Sequence, residues 1–123
     1  MIKTENKMLN KKQIKKDYKL QKQPTGIFAV HNISDNKMFI GTSTNLPSVL
    51  TRFDFTLKMG SFPFQDLIND YKILGEKYFK IKVLDELEVN DETEYELNRE
   101  LNALEEMWID KLKKEGVTFY NKK

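Results

Sequence analysis

Few side chains in this sequence are of the kinds that do covalent or metal chemistry. There is no cysteine and one histidine, His31, which leaves no disulfide framework and no His- or Cys-rich zinc site. His31 is a candidate general base. Alternation along an apolar stretch puts it on the face shared by Ile27 and Ala29, which is the position of a strand-end residue with a satisfied polar tip. Gly41-Thr42-Ser43-Thr44-Asn45 approaches a nucleophile elbow, but that pattern requires glycine where Asn45 stands. No glycine-rich phosphate or dinucleotide loop is present. The acidic stretch at 85–94 lacks the ligand spacing of an EF-hand and reads as a solvated loop.

Charge is the other chemical resource. The formal +2 hides a segregation: residues 1–22 carry eight lysines against Glu5 and Asp17, a net +6, so the remainder sums to −4. Residues 85–106 alone hold ten carboxylates and one arginine. A lysine-rich arm can neutralise phosphates and bind nucleic acid in a salt-dependent, sequence-independent way, with Lys11, Lys12, Lys15 and Lys16 as candidate contacts. Tyr18 is placed to stack on a base. The competing expectations are a solubilising tail, or a segment that docks on the acidic C-terminal helix of the same molecule.

The elements that position these groups follow from periodicity. With 123 residues the chain makes one small domain, 25–123, preceded by the basic arm, 1–24. The arm reads as a short amphipathic helix with Met8, Leu9, Ile14, Tyr18 and Leu20 as its apolar side chains, ended by Pro24-Thr25-Gly26. Gly26–Asn32 and Met38–Ser43 form a hairpin around turn residues, and Gly41 implies a bulge or a close backbone approach. Asn45 caps a helix carrying Leu46, Val49, Leu50, Phe53 and Leu57, which Gly60 stops. A second helix starts at Ser61-Phe62-Pro63 and shows Phe64, Leu67, Ile68, Tyr71 and Leu74 before Gly75. Phe79, Ile81 and Val83 alternate with lysines as a third strand. After the acidic loop Glu88–Glu94, a long helix presents Leu97, Leu101, Leu104, Trp108 and Leu112 on one face up to Gly116. The order predicts an α+β domain with a small sheet flanked by helices. No apolar run is long enough to cross a membrane and no signal peptide is recognisable, so a cytoplasmic location is expected.

Gly26-Ile27-Phe28, then Phe39-Ile40-Gly41, then Asn45-Leu46 opening a helix resemble the GIY-YIG nuclease domain. Leu57-Lys58-Met59-Gly60-Ser61, Glu105 three residues before Trp108-Ile109-Asp110, and the late Tyr120-Asn121 fit the same pattern. The resemblance spans about residues 25–121. It implies a three-stranded antiparallel sheet flanked by helices and phosphodiester cleavage with one divalent metal, usually magnesium. Nucleic acid, DNA in the first instance, is the implied partner. In that family two tyrosines lie near the scissile phosphate, a helical arginine stabilises transition-state charge, a glutamate holds the metal and a late asparagine supports the site.

Carried onto this chain, the two tyrosines fall on Phe28 and Phe39, the arginine on Val49, and a common histidine on Phe53. The metal-binding glutamate matches Glu105 and the asparagine matches Asn121. Phenylalanine keeps the ring but lacks the hydroxyl that engages water. Valine removes a charged donor of a kind whose loss commonly costs about 10²–10³ in rate. Arg52 is the candidate substitute, three residues after Val49 on a neighbouring helix face, although an amphipathic helix also carries such arginines on its surface. Glu105, without the resemblance, reads as one more solvated helix carboxylate. Three functions stay open at this point. The first is a degenerate, nucleic-acid-associated family member with weak or no phosphodiesterase activity. The second is a divergent magnesium-dependent endonuclease using Arg52, Glu105 and Asn121. The third is a non-catalytic protein-interaction or regulatory module, which aromatic residues exposed at the cleft would favour.

Overall fold

Every residue from Thr25 to Val30 is buried, which marks the first strand as interior to a sheet covered on both faces. The computed structural model describes residues 23–121. The basic arm, with Lys11, Lys12, Lys15 and Lys16, and the helix expected within it lie outside the described residues. Strand β1 (Thr25–Asn32) pairs antiparallel with β2 (Lys37–Ser43) on one side and with β3 (Phe79–Leu87) on the other. Helix α1 (Leu46–Met59) and helix α2 (Gln65–Leu74) follow the hairpin, and a 3-10 turn (Glu76–Tyr78) leads into β3. Helix α3 (Glu94–Lys114) and a short β4 (Thr118–Phe119) complete the chain.

The sheet order is β3-β1-β2-β4, and β4 runs parallel to β2. The expected three-stranded antiparallel sheet is thus corrected to a four-stranded mixed one. Gly116, with φ of +90°, turns the chain back after α3, and Val117 buries against the sheet. The following backbone then pairs with the hairpin through Thr118 N to the Asn36 carbonyl (3.2 Å) and Tyr120 N to the Met38 carbonyl (2.7 Å). The α+β class stands.

Alternation in β1 and β2 divides the core into two layers. Phe28, Val30 and Phe39 meet Val49 and Leu57 of α1 and Leu67 and Ile68 of α2. Ile27, Ala29, Met38 and Ile40 meet Leu97, Leu101 and Leu112 of α3. β3 serves both layers because it carries a bulge. Ile27 pairs with Asp85 and Phe28 with Val83, leaving Leu84 extra. Before the bulge Phe79 and Ile81 pack under α1 and α2; after it Leu84 and Leu87 pack under α3. That irregularity is why strict alternation identified only 79–83 as strand. Gly26 faces this segment, and a β-carbon there would run into the Asp85 carbonyl.

The helix ends are chemically specified. Asn45 Oδ1 accepts from the Ser48 amide (3.2 Å), and Gly60, with φ of +72°, closes α1. α2 begins at Gln65, later than expected, because Phe62 turns inward to the core and Pro63 precedes the helix. Thr93 and Glu96 form a capping box at the start of α3. No described helix is long and apolar enough to cross a membrane.

Candidate active site

The positions singled out on the hairpin and α1 converge. Phe28 and Phe39 point into the layer under α1, where Phe28 is 3% exposed and Val49 4%. Phe53 stands edge-on to both rings, with centroids 5.2 Å from Phe28 and 5.8 Å from Phe39. Phe62 and Phe64 extend the cluster: Phe62 lies 5.1 Å from Phe39 and 4.8 Å from Phe53, and Phe64 lies 5.0 Å from Phe39. Such edge-to-face pairs add about 0.5–1.5 kcal/mol each to the burial of their area. The sequence reading had not assigned Phe62 and Phe64 to this group, although Ser61-Phe62-Pro63-Phe64 concentrates two rings beside a proline. Gly41 accommodates the arrangement, since Phe28 lies over it across the ladder. Of the two expectations for Gly41, the close approach is the one observed.

Arg52 is exposed on α1, and its guanidinium lies 5.5 Å from the Phe53 ring centroid. It lines a groove of about 670 Å³ together with Gln23, Asn45, Pro47, Ser48, Thr51 and Phe55. The root of the basic arm and Arg52 therefore share one surface.

Glu105 belongs to the other layer. It falls four residues after Leu101 and seven before Leu112, on the core-facing stripe of α3, and is 9% exposed. The expectation of a solvated carboxylate is overturned by that burial. Asn121 lies beside β2, where its side-chain amide imitates a strand. Oδ1 accepts from the Ile40 amide (3.2 Å) and Nδ2 donates to the Ile40 carbonyl (2.7 Å). Tyr120 extends to the other side. Its hydroxyl donates to Asp70 Oδ2 (2.8 Å) and accepts from Asn32 Nδ2 (3.0 Å), so burial and the Asp70 carboxylate hold the phenol far above its ordinary range. Asn32, fully buried, also accepts from the Asp35 amide (3.1 Å). This network, unread in the sequence, fixes the hairpin turn, α2 and the C-terminal segment to one another.

The remaining candidates are occupied structurally. His31 Nε2 faces Asn36 Oδ1 at 3.1 Å, and Lys82 Nζ donates to Nδ1 at 3.1 Å. Partial burial lowers its pKa, against the raising effect of Asn36, and Lys82 lowers it further. Neither ring nitrogen is left to work as a base. Ser43 Oγ accepts from the Asn45 amide (2.9 Å) at the entry to α1.

No family model matches the sequence, and no curated protein is significantly similar to it. Two solved structures are similar to the fold. One is the catalytic domain of the homing endonuclease I-TevI, at 21% identity and TM-score 0.55, covering 72% of this chain and 88% of that one. The other is a point mutant of the same intron endonuclease domain, at 19% identity and TM-score 0.58, covering 74% and 86%. The I-TevI domain is a GIY-YIG homing endonuclease, so the architecture described above is the GIY-YIG nuclease fold.

Nucleases of this fold are generally metal-dependent. Among the described residues no group of three His, Asp or Glu side chains gathers to hold a metal ion. Magnesium prefers oxygen ligands, and the side chains of Phe28, Phe39, Val49 and Phe53 offer none.

Proposed function

We propose that this protein is a GIY-YIG-like nuclease homologue with a degenerate active site, associated with nucleic acid and endowed with weak or no phosphodiesterase activity. The observation that carries this reading is the packing of Phe28, Phe39, Val49 and Phe53 into one apolar layer. A phosphodiester cleavage site needs polar groups aimed at an attacking water and at charge developing on phosphorus. The positions corresponding to both tyrosines and the arginine supply neither.

DNA is the partner this reading favours. The fold is that of a DNA-cleaving domain, the arm supplies Lys11, Lys12, Lys15 and Lys16, and Arg52 shares a groove with the arm's root. Magnesium enters only if Glu105 retains the metal position, with phosphate oxygens and water completing the shell.

Plasmid nicking in magnesium or manganese, on the wild type and on Glu105→Ala, tests the proposal. No nicking above background is expected from either. Cleavage by the wild type that Glu105→Ala abolishes, with circular dichroism showing the variant folded, would establish an active endonuclease that depends on Glu105, and Arg52→Ala and Asn121→Ala would then test the other two candidates.

A further inference from the structure

The outward face of α3 is both acidic and partly apolar. Glu96, Glu100 and Glu106 project from it, with Tyr95 71% exposed and Met107 58% exposed among them. A groove of about 410 Å³ runs along this face between Glu92, Glu96, Arg99, Glu100 and Ala103. Large apolar side chains on a surface are ordinary when scattered. Here Tyr95 and Met107 flank the carboxylates on a single helix, with the Arg99 guanidinium 5.8 Å from the Tyr95 ring centroid, and the surface complements a segment that mixes apolar side chains with lysines.

The chain contains one such segment. Residues 1–22 carry a net +6, and Met8, Leu9, Ile14, Tyr18 and Leu20 are spaced among the lysines. Its point of attachment is favourable. Thr25 pairs with Leu87 at the end of β3, and seven residues later α3 begins at Glu94. α3 is about 31 Å long at the rise of an α-helix, and 22 residues extend up to about 70 Å. The segment therefore reaches the whole face from its root. Tethering makes the encounter intramolecular, with an effective concentration in the millimolar range for a short link.

We infer that residues 1–22 dock on the Glu96–Glu100–Glu106 face of α3 in the same molecule when no nucleic acid is bound. Lysines paired with these carboxylates are withdrawn from other polyanions, so a nucleic acid must displace the domain's own acidic helix to engage the arm. The docked state is self-limiting toward weak, non-specific polyanions and opens as salt rises.

The native chain has no cysteine, so a nitroxide on Ala103→Cys labels the face at a single position of the full-length protein. Paramagnetic broadening of the amides of residues 7–20 is then read by NMR at low salt, without nucleic acid. Loss of at least half of their intensity is expected, with recovery in about 0.5 M salt. A label at Ile73→Cys, exposed at the end of α2 that leads to the start of β3, should leave those amides sharp. Combining Glu96→Gln, Glu100→Gln and Glu106→Gln with the Ala103 label should reduce the broadening at least twofold. Unbroadened amides at low salt would overturn the proposal. So would equal broadening from Ile73, full broadening in the triple variant, or broadening that appears only between separately labelled molecules.

Discussion

Phe28 and Gly41 face each other across the β1–β2 ladder, and the tip of the ring occupies the space a side chain on Gly41 would need. A β-carbon at Gly41 would stand 2.9 Å from Cζ of Phe28 and 3.0 Å from Cε1. The ring has little freedom to yield, because Phe53 stands edge-on to it and Phe39 lies 6.3 Å away. Gly41→Ala is therefore expected to destabilise the fold by about 1–3 kcal/mol, the usual range for overfilling a packed core. Urea unfolding of Gly41→Ala, Phe28→Ala and the pair measures the coupling. An alanine cost that persists undiminished beside Phe28→Ala would mean that the ring is not its cause.

Val49 offers a sharper measure of how far the site has become core. Val49→Arg buries a guanidinium in a cluster of aliphatic and aromatic side chains, and should cost more than about 3 kcal/mol. Phe28→Tyr and Phe39→Tyr add a hydroxyl each and should cost about 1–3 kcal/mol. Thermal unfolding ranks the three. A Val49→Arg protein melting with the wild type would indicate an open cleft at this position.

Acid should weaken the fold through His31. Its folded pKa lies below the ordinary 6.5, so the unfolded chain binds the proton more readily. The stabilisation is complete above 6.5 and is lost as pH falls from there through the lowered value. The groups facing the ring are Asn36 of the hairpin turn and Lys82 of β3. Denaturation midpoints between pH 7.5 and 5 should fall in the wild type and flatten in His31→Gln. Parallel pH profiles for the two proteins would remove His31 from the account.

Nucleic-acid affinity should reside largely in the arm. Replacing Lys11, Lys12, Lys15 and Lys16 by Gln removes four positive charges. The slope of log affinity against log salt on duplex DNA should become shallower by up to about 3–4 units. Fluorescence anisotropy over a salt series reads this directly, and an unaltered slope would take these lysines out of the interface.

Much of the fold was legible because its signals are local. Alternation in Gly26–Asn32, the Asn45 cap, the glycine stops and the leucine stripe of α3 each depend on a few neighbouring residues. The parts that were not legible depend on partners distant in sequence. Leu84 reads as a break in alternation until β1 is seen beside it. Thr118-Phe119 is too short to read as a strand without the β2 backbone it joins. Within the candidate site, the loss of hydroxyl and guanidinium groups is visible in residue types alone. The mutual packing of the five phenylalanines is not. Glu105 reads as a solvated carboxylate beside the leucine stripe of α3, because a charged group is ordinarily assigned outward. Its spacing from Leu101 and Leu112 placed it inward all along.

The aromatic residues divide between interior and surface, with Phe55 and Phe64 exposed beside the candidate site. Phe28, Phe39 and Phe62 are each less than a tenth exposed, so the exposed patch that would favour a protein-interaction module is not found at these three positions.

The extra residue in β3 has a mechanical corollary. Because Leu84 shifts the strand from one layer to the other, a single nine-residue segment clamps both sides of the sheet. Phe79 and Ile81 cannot detach without drawing Leu84 and Leu87 with them, and Asp85 takes along its 2.9 Å bond from the Trp108 indole. Neither half of the protein has a private boundary at which to come apart, and damage to either face is felt by both.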